Sequence, residues 1–169
     1  FFTSIFIFLL STPTYCEITN AHKLIKKEGL FYNKITKKLF TGLVQFQYEN
    51  GKLRAKGSLK KGKEEGYWED YNEDGTLFSK GNYINGIPSG NFKFYHENGI
   101  LEEEGKFILG IKEGKWNTYW DNGNLKRQGI WKNGKAIGLF KFFNSDGKIT
   151  KIEIWKNGKM VKRIFEINM

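Results

Sequence analysis

Glycine recurs through this sequence with a fixed period of 24 residues, and that period constrains the fold more than any other feature. Counting the first glycine of each unit as position zero, it falls at Gly42, Gly66, Gly90, Gly114 and Gly138, with no insertion between units. A second glycine stands at +9 (Gly51, Gly75, Gly99, Gly123, Gly147), always after Asn or Asp: Asn50, Asp74, Asn98, Asn122 and Asp146. A third, at +15, is Gly57, Gly81, Gly105 and Gly129, with Glu153 in its place in the fifth unit. A fourth, at +20, is Gly62, Gly86, Gly110, Gly134 and Gly158. No G-X-Y triplet pattern accompanies them, so the glycines mark turns rather than a collagen helix. The apolar content is concentrated in five Trp, eight Tyr and fifteen Phe. Such flat side chains suit strands better than helix interiors.

The Asn/Asp-Gly pair at +8/+9 predicts a two-residue type I′ hairpin turn, which needs φ > 0 at both central positions. Antiparallel pairing about that turn places residues opposite each other when their offsets sum to 17. Position +2 (Val44, Trp68, Phe92, Trp116, Phe140) then faces the +15 glycine. Position +17 (Leu59, Tyr83, Phe107, Trp131, Trp155) faces the zero glycine. Each large side chain is therefore expected to cover a glycine on its partner strand. Alternation puts +11 (Leu53, Leu77, Leu101, Leu125, Ile149) on the same face. Position +5 (Tyr71, Tyr95, Tyr119, Phe143, but Gln47 in the first unit) falls on the opposite face, unless a bulge re-aims it. A second turn at +19/+20 links one hairpin to the next. The expected fold is all-β: an elongated antiparallel β-meander of tandem β-hairpin repeats spanning 42–161. Residues 17–41 read as a linker and capping hairpin, with Leu30–Tyr32 paired to Lys38–Thr41. Residues 162–169 read as a C-terminal tail, where Lys162 and Arg163 occupy the place of a sixth opening. Trp116→Ala is expected to cost about 3–5 kcal/mol if the ring is buried and under about 1 kcal/mol if it is exposed.

A unit such as Gly66-Tyr67-Trp68-Glu69-Asp70-Tyr71, then Asp74-Gly75-Thr76-Leu77, Gly81 and Gly86, resembles the MORN repeat, and more closely its bacterial variant. The resemblance covers about residues 30–161. It implies an elongated scaffold that binds proteins, self-associates or contacts acidic phospholipids; similar proteins are often exported, and some carry an antitoxin label. The family has no shared catalytic residues, so the resemblance implies none here and no cofactor.

The N-terminal run FFTSIFIFLL, followed by Ser11-Thr12-Pro13-Thr14-Tyr15-Cys16, reads as the core and cleavage region of a signal peptide over residues 1–16, with its start truncated. It is too short to span a bilayer. Export is the expected localisation: periplasm, cell surface or medium. A lipid anchor on Cys16 is disfavoured by the bulky Tyr15 before it. The one cysteine and two histidines, His22 and His96, offer no metal-ligand spacing or nucleophile–base arrangement. Glu102-Glu103-Glu104 reads as a solvated strand segment before it reads as a cation site.

Charge is unevenly spread. The formal net charge is +10, with +4 over residues 17–41, −2 over 42–125 and +9 over 126–163. Three interaction classes fit. A protein-binding scaffold would use exposed aromatics among Trp68, Tyr71, Tyr95, Trp116, Tyr119, Trp131 and Trp155, the alternative reading of the aromatic face being packed core. A binder of anionic membranes would use Lys132, Lys135, Lys156, Lys159, Lys162 and Arg163 together with Lys141, Lys148 and Lys151. A choline- or glycan-binding module would use aromatic cages. Nucleic acid is not expected for an exported chain; edge-to-edge self-association of the sheet is open.

Overall fold

The computed structural model describes residues 18–167, so the expected leader and Cys16 lie outside the described residues. Ten strands make the five units. They are β4 (Gly42–Gln47) with β5 (Leu53–Lys60), β6 (Lys63–Tyr71) with β7 (Leu77–Ile84), β8 (Ile87–Tyr95) with β9 (Leu101–Ile108), β10 (Ile111–Tyr119) with β11 (Leu125–Lys132), and β12 (Lys135–Phe143) with β13 (Ile149–Lys156). β14 (Lys159–Glu166) follows. All eleven join in chain order into one antiparallel meander, and a short β1 (Thr19–Asn20) adds in parallel to the edge of β4. The chain is therefore the expected all-β meander. Residues 162–166 are part of its last strand rather than a tail, and all eight residues of β14 are exposed.

The register within each hairpin follows the sum-of-17 rule in its middle: Trp68 faces Gly81, Phe92 faces Gly105, and Gly114 faces Trp131. The turns differ from expectation. At +8/+9 the hairpin closes with a three-residue loop. In the first unit Gly51 N–H donates to the Tyr48 carbonyl and Tyr48 N–H to the Lys52 carbonyl, with only Gly51 left-handed at φ 81°. This is a type I turn ending in a glycine bulge. It makes the residue at +12 supernumerary, so +11 stands opposite +5: Leu77 faces Tyr71, and Leu101 faces Tyr95. Residues directly opposite share a face. The leucines thus belong to the tyrosine side, not to the +2 side. The type I′ turn occurs instead at +19/+20, where both residues have positive φ, as at Asn85 (53°) and Gly86 (78°).

The zero glycine also differs. Between units the pairing slips by two residues, so Gly66, Tyr67 and Trp68 stand against Gly57 alone. Gly66 sits there at φ 73°, and a Cβ on it would meet nothing within 4 Å. It is a bulge glycine, not a covered one. The bulge turns the +2 ring onto the preceding unit: Trp68 lies on Gly57, Phe92 on Gly81, Trp116 on Gly105 and Phe140 on Gly129. Each unit's ring thus covers the glycine of the unit before it, a contact the hairpin register alone does not reveal.

Leu30–Asn33 (β3) pairs with Leu24–Lys27 (β2), and on its other side it meets the expected 38–41 segment through the antiparallel bridge Tyr32–Leu39, with Asn33 N–H donating to the Lys38 carbonyl and Phe40 N–H to that of Phe31. This hairpin caps the first unit. Leu24 and Phe31 pack with Val44, Phe46, Ala55, Leu59 and Trp68. Phe31 N–H donates to the Gly62 carbonyl, and Gly62 N–H to that of Phe40.

Candidate functional site

The sheet has two faces and two long edges, and each carries its own chemistry. The +2 face bears a ladder of rings. Phe31–Phe46, Phe46–Trp68, Trp68–Tyr83, Tyr83–Phe92, Phe92–Phe107 and Phe107–Trp116 are 5.0–6.5 Å apart between centroids. The ladder resumes as Trp131–Phe140–Trp155 at 6.0 and 5.5 Å. Lys112 fills the gap, with Nζ 3.8 Å from the Trp116 centroid and 5.6 Å from that of Trp131. Trp68 and Trp116 are 4 % and 3 % exposed and serve as core; Trp131 and Trp155 remain half-buried. Trp68 Nε1 donates to the Ser58 carbonyl at 3.0 Å, whereas the buried Trp116 Nε1 has no partner.

The opposite face carries the +5 tyrosines in polar clusters. Lys56 Nζ lies 2.7 Å from Glu69, and the Tyr71 hydroxyl donates to Glu69 at 2.7 Å. Those two bonds, Lys56 first, hold the Glu69 carboxyl below its ordinary range. Two units on, the Tyr119 hydroxyl donates to Glu104 at 2.8 Å and lowers that carboxyl likewise. Tyr95 lies under Lys80, whose Nζ is 5.4 Å from its ring centroid. These tyrosines are engaged within the sheet. Two of the three carboxylates of the acidic run are ion-paired: Glu103 with Lys112 (2.8 Å) and Arg127 (3.7 Å), and Glu104 with Lys93 (3.5 Å). Among the described residues, no group of three His, Cys, Asp or Glu side chains could hold a metal ion.

The edge formed by the type I′ turns is different. Positions +18 and +21 face each other across each turn, giving the pairs Lys60–Lys63, Ile84–Ile87, Ile108–Ile111, Lys132–Lys135 and Lys156–Lys159. Ile84, Ile87, Ile108 and Ile111 are 42–51 % exposed, and Leu109, inside its turn, is 68 % exposed. Neighbouring turns are in contact. Gly110 N–H donates to the Pro88 carbonyl and Gly134 N–H to that of Lys112, while the Ile111 side chain sits against Gly134. The result is one continuous strip, apolar over units two and three, with lysine pairs on both sides. Strand spacing makes it roughly 40 Å long. Glu65 and Glu113 lie beside it, accepting the N–H groups of Asn85 and Asn133. Of the predicted basic residues, Lys132, Lys135, Lys156 and Lys159 stand on this strip. Lys162 is exposed on β14, and Arg163 is tied to Glu153 at 3.2 Å and to Glu166. The isoleucine pairs went unread in the sequence, although the strings KKGK, INGI, ILGI, KNGK and KNGK carry them.

The opposite edge is built from the +7 to +9 loops, which are sewn together by side chains. The +6 residue donates to the +5 carbonyl of the next unit, and the +8 Asn to the +7 carbonyl. Tyr48 reaches Tyr71 O (2.6 Å), His96 Nε2 reaches Tyr119 O (3.0 Å), and Trp120 reaches Phe143 O (3.1 Å). Asn50, Asn98 and Asn122 reach Glu73 O, Asp121 O and Ser145 O at 2.8–3.1 Å.

A single-layer, twelve-stranded sheet built largely from five tandem hairpin units defines a β-hairpin repeat array. The MORN repeat variant matches residues 40–61, 64–85, 88–108 and 112–133, and the chain belongs to that family. No curated protein matches the chain.

Proposed function

We propose that this protein is a non-catalytic interaction module that docks on anionic membrane surfaces through its type I′ turn edge. One observation carries the reading. Leu109 holds a left-handed conformation (φ 50°) at a turn position where the next two units have Asn, and it is 68 % exposed among exposed isoleucines. A leucine in that conformation costs about 1–2 kcal/mol relative to its preferred region. Such strain at an exposed apolar site fits a surface kept for binding. Insertion of the half-exposed isoleucines would gain roughly 1 kcal/mol each. Each flanking lysine adds about 1 kcal/mol near an anionic leaflet. The apolar leader-like run supports export, which would place this edge against an envelope membrane.

Co-sedimentation with phosphatidylglycerol vesicles at low salt tests the reading. Native protein is expected to pellet with them, and to be released by salt. Protein that stays in the supernatant would remove the membrane reading, as would binding unchanged when Lys132, Lys135, Lys156 and Lys159 are all replaced by Gln. Preference for nucleic acid over vesicles would overturn it too.

A protein ligand on the ring ladder is the second reading, and an antitoxin-like role would fall under it. It is favoured by Phe107, Trp131 and Trp155, which remain half-buried where the capping hairpin does not reach. Loss of a captured partner on Trp131→Ala, with vesicle binding intact, would support it.

A further inference from the structure

The loop edge is sewn at every junction but one. Between units two and three the +8 residue is Asp74, whose side chain has no N–H to give. The +6 residue is Asn72, whose carboxamide turns back to Thr76 Oγ1 at 2.9 Å. Asp74 itself only accepts, from the Thr76 N–H and hydroxyl at 2.8 and 2.6 Å. The two carbonyls that receive donors at the other junctions, here those of Tyr95 and Glu97, are reached by no side chain of the described residues. A cleft of about 570 Å³ lies at this place, lined by Phe78, Tyr95, Glu97, Glu102 and Asp121 among others, with no Lys or Arg in its wall.

We propose that this cleft binds the guanidinium group of an arginine side chain on a partner polypeptide. The missing elements are N–H donors, two carbonyls apart, in a place where the neighbouring junctions put a carboxamide and a ring N–H or hydroxyl. A guanidinium carries five donors in one plane and satisfies both oxygens at once. Three carboxylates line the cleft to balance its charge, and charge-assisted bonds to them are the strong ones. Phe78, 46 % exposed, gives the flat group an aromatic wall. An ammonium could meet the charge but not the planar donor pattern. The site is independent of the turn edge, which runs along the other side of the sheet.

The test is a titration of the full chain with N-acetyl-arginine methylamide, read by NMR amide shifts at Tyr95, Glu97 and Asn98. Saturable shifts are expected. The lysine and citrulline counterparts, which keep only the charge or only the planar donors, should bind about tenfold more weakly. Asp74→Asn supplies the carboxamide found at the other junctions. It should close the gap, raise the melting temperature and weaken the arginine probe by about tenfold. Glu73→Ala removes one charge from the same loop without adding a donor there, and should change affinity by less than about twofold. The proposal is overturned if the arginine probe gives no saturable shift, if the lysine probe binds equally well, or if Asp74→Asn binds like the native chain. Tighter binding of free arginine than of the blocked probe would overturn the assignment to a polypeptide.

Discussion

Gly81→Ala tests the central packing claim, that each unit's ring rests on the glycine of the unit before it. Gly81 has ordinary extended backbone, so alanine there meets no conformational barrier and by itself should stabilise by about 0.4–1 kcal/mol. The added Cβ, however, would stand 2.5 Å from Cγ and Cδ1 of Phe92. Carbon contacts settle near 3.5–4.0 Å, so the ring must withdraw by roughly 1 Å. Phe92 is 3 % exposed and packed between Tyr83 and Phe107, which leaves it little room. Overpacking of this kind costs about 1–3 kcal/mol, and the severity of the overlap places Gly81→Ala near the top of that range. Less the backbone gain, a net loss of about 2 kcal/mol is expected. With Phe92→Ala in place the clash is gone. The same alanine should then be neutral or slightly stabilising, giving a coupling energy of about 2–3 kcal/mol. Equilibrium urea unfolding of the four proteins, followed by circular dichroism, measures this. If Gly81→Ala costs the same with and without the Phe92 ring, the ring-on-glycine account is wrong.

Trp116→Phe should cost about 1 kcal/mol less than Trp68→Phe, because only the latter gives up an indole hydrogen bond; urea midpoints decide. Leu109→Asn should gain about 1 kcal/mol by relieving the left-handed leucine, while weakening sedimentation with anionic vesicles; stability without that loss would separate strain from function. Burial alone would raise the Glu153 carboxyl, but bonds from Trp155 and Arg163, with Lys151 nearby, lower it overall. A depressed folded value contributes stability above the ordinary carboxylate range and loses it as pH falls through the folded value, so Glu153→Gln should flatten the acid limb of a stability profile. Asp70 has the opposite sign: burial raises it, so its charged form weakens the fold at neutral pH. Asp70→Asn should raise the melting temperature at pH 7 and leave it unchanged well below pH 4, where the native group is already neutral.

The repeat length, the hairpins and the central register were legible because glycine and Asn/Asp-Gly pairs report backbone geometry directly. What misled was the equivalence of Asn-Gly at the two turns. Asn50-Gly51 and Asn85-Gly86 look alike, yet only the second has both residues left-handed. The error moved +11 to the wrong face. The zero glycine was misread because a bulge and a covered glycine leave the same letter. The sequence left Trp68 and Trp116 open between core and contact surface because ring exposure depends on the neighbouring unit, which a single hairpin does not contain. The turn-edge strip was visible as paired letters, but its meaning needed the stacked turns to bring Ile87 against Gly110.

The ring-on-glycine contact also gives the array a grammar of growth. Units two to four each carry a plug for their predecessor and a socket for their successor, so a copied unit fits wherever a whole copy is inserted, and a fractional copy fits nowhere. Gene duplication could lengthen such a sheet without redesigning a single joint. In the fifth unit the socket is filled: Glu153, 3 % exposed and held by Arg163 and Lys151, stands where the glycine would be. One codon there separates a sheet that accepts another ring from one that has placed a full stop.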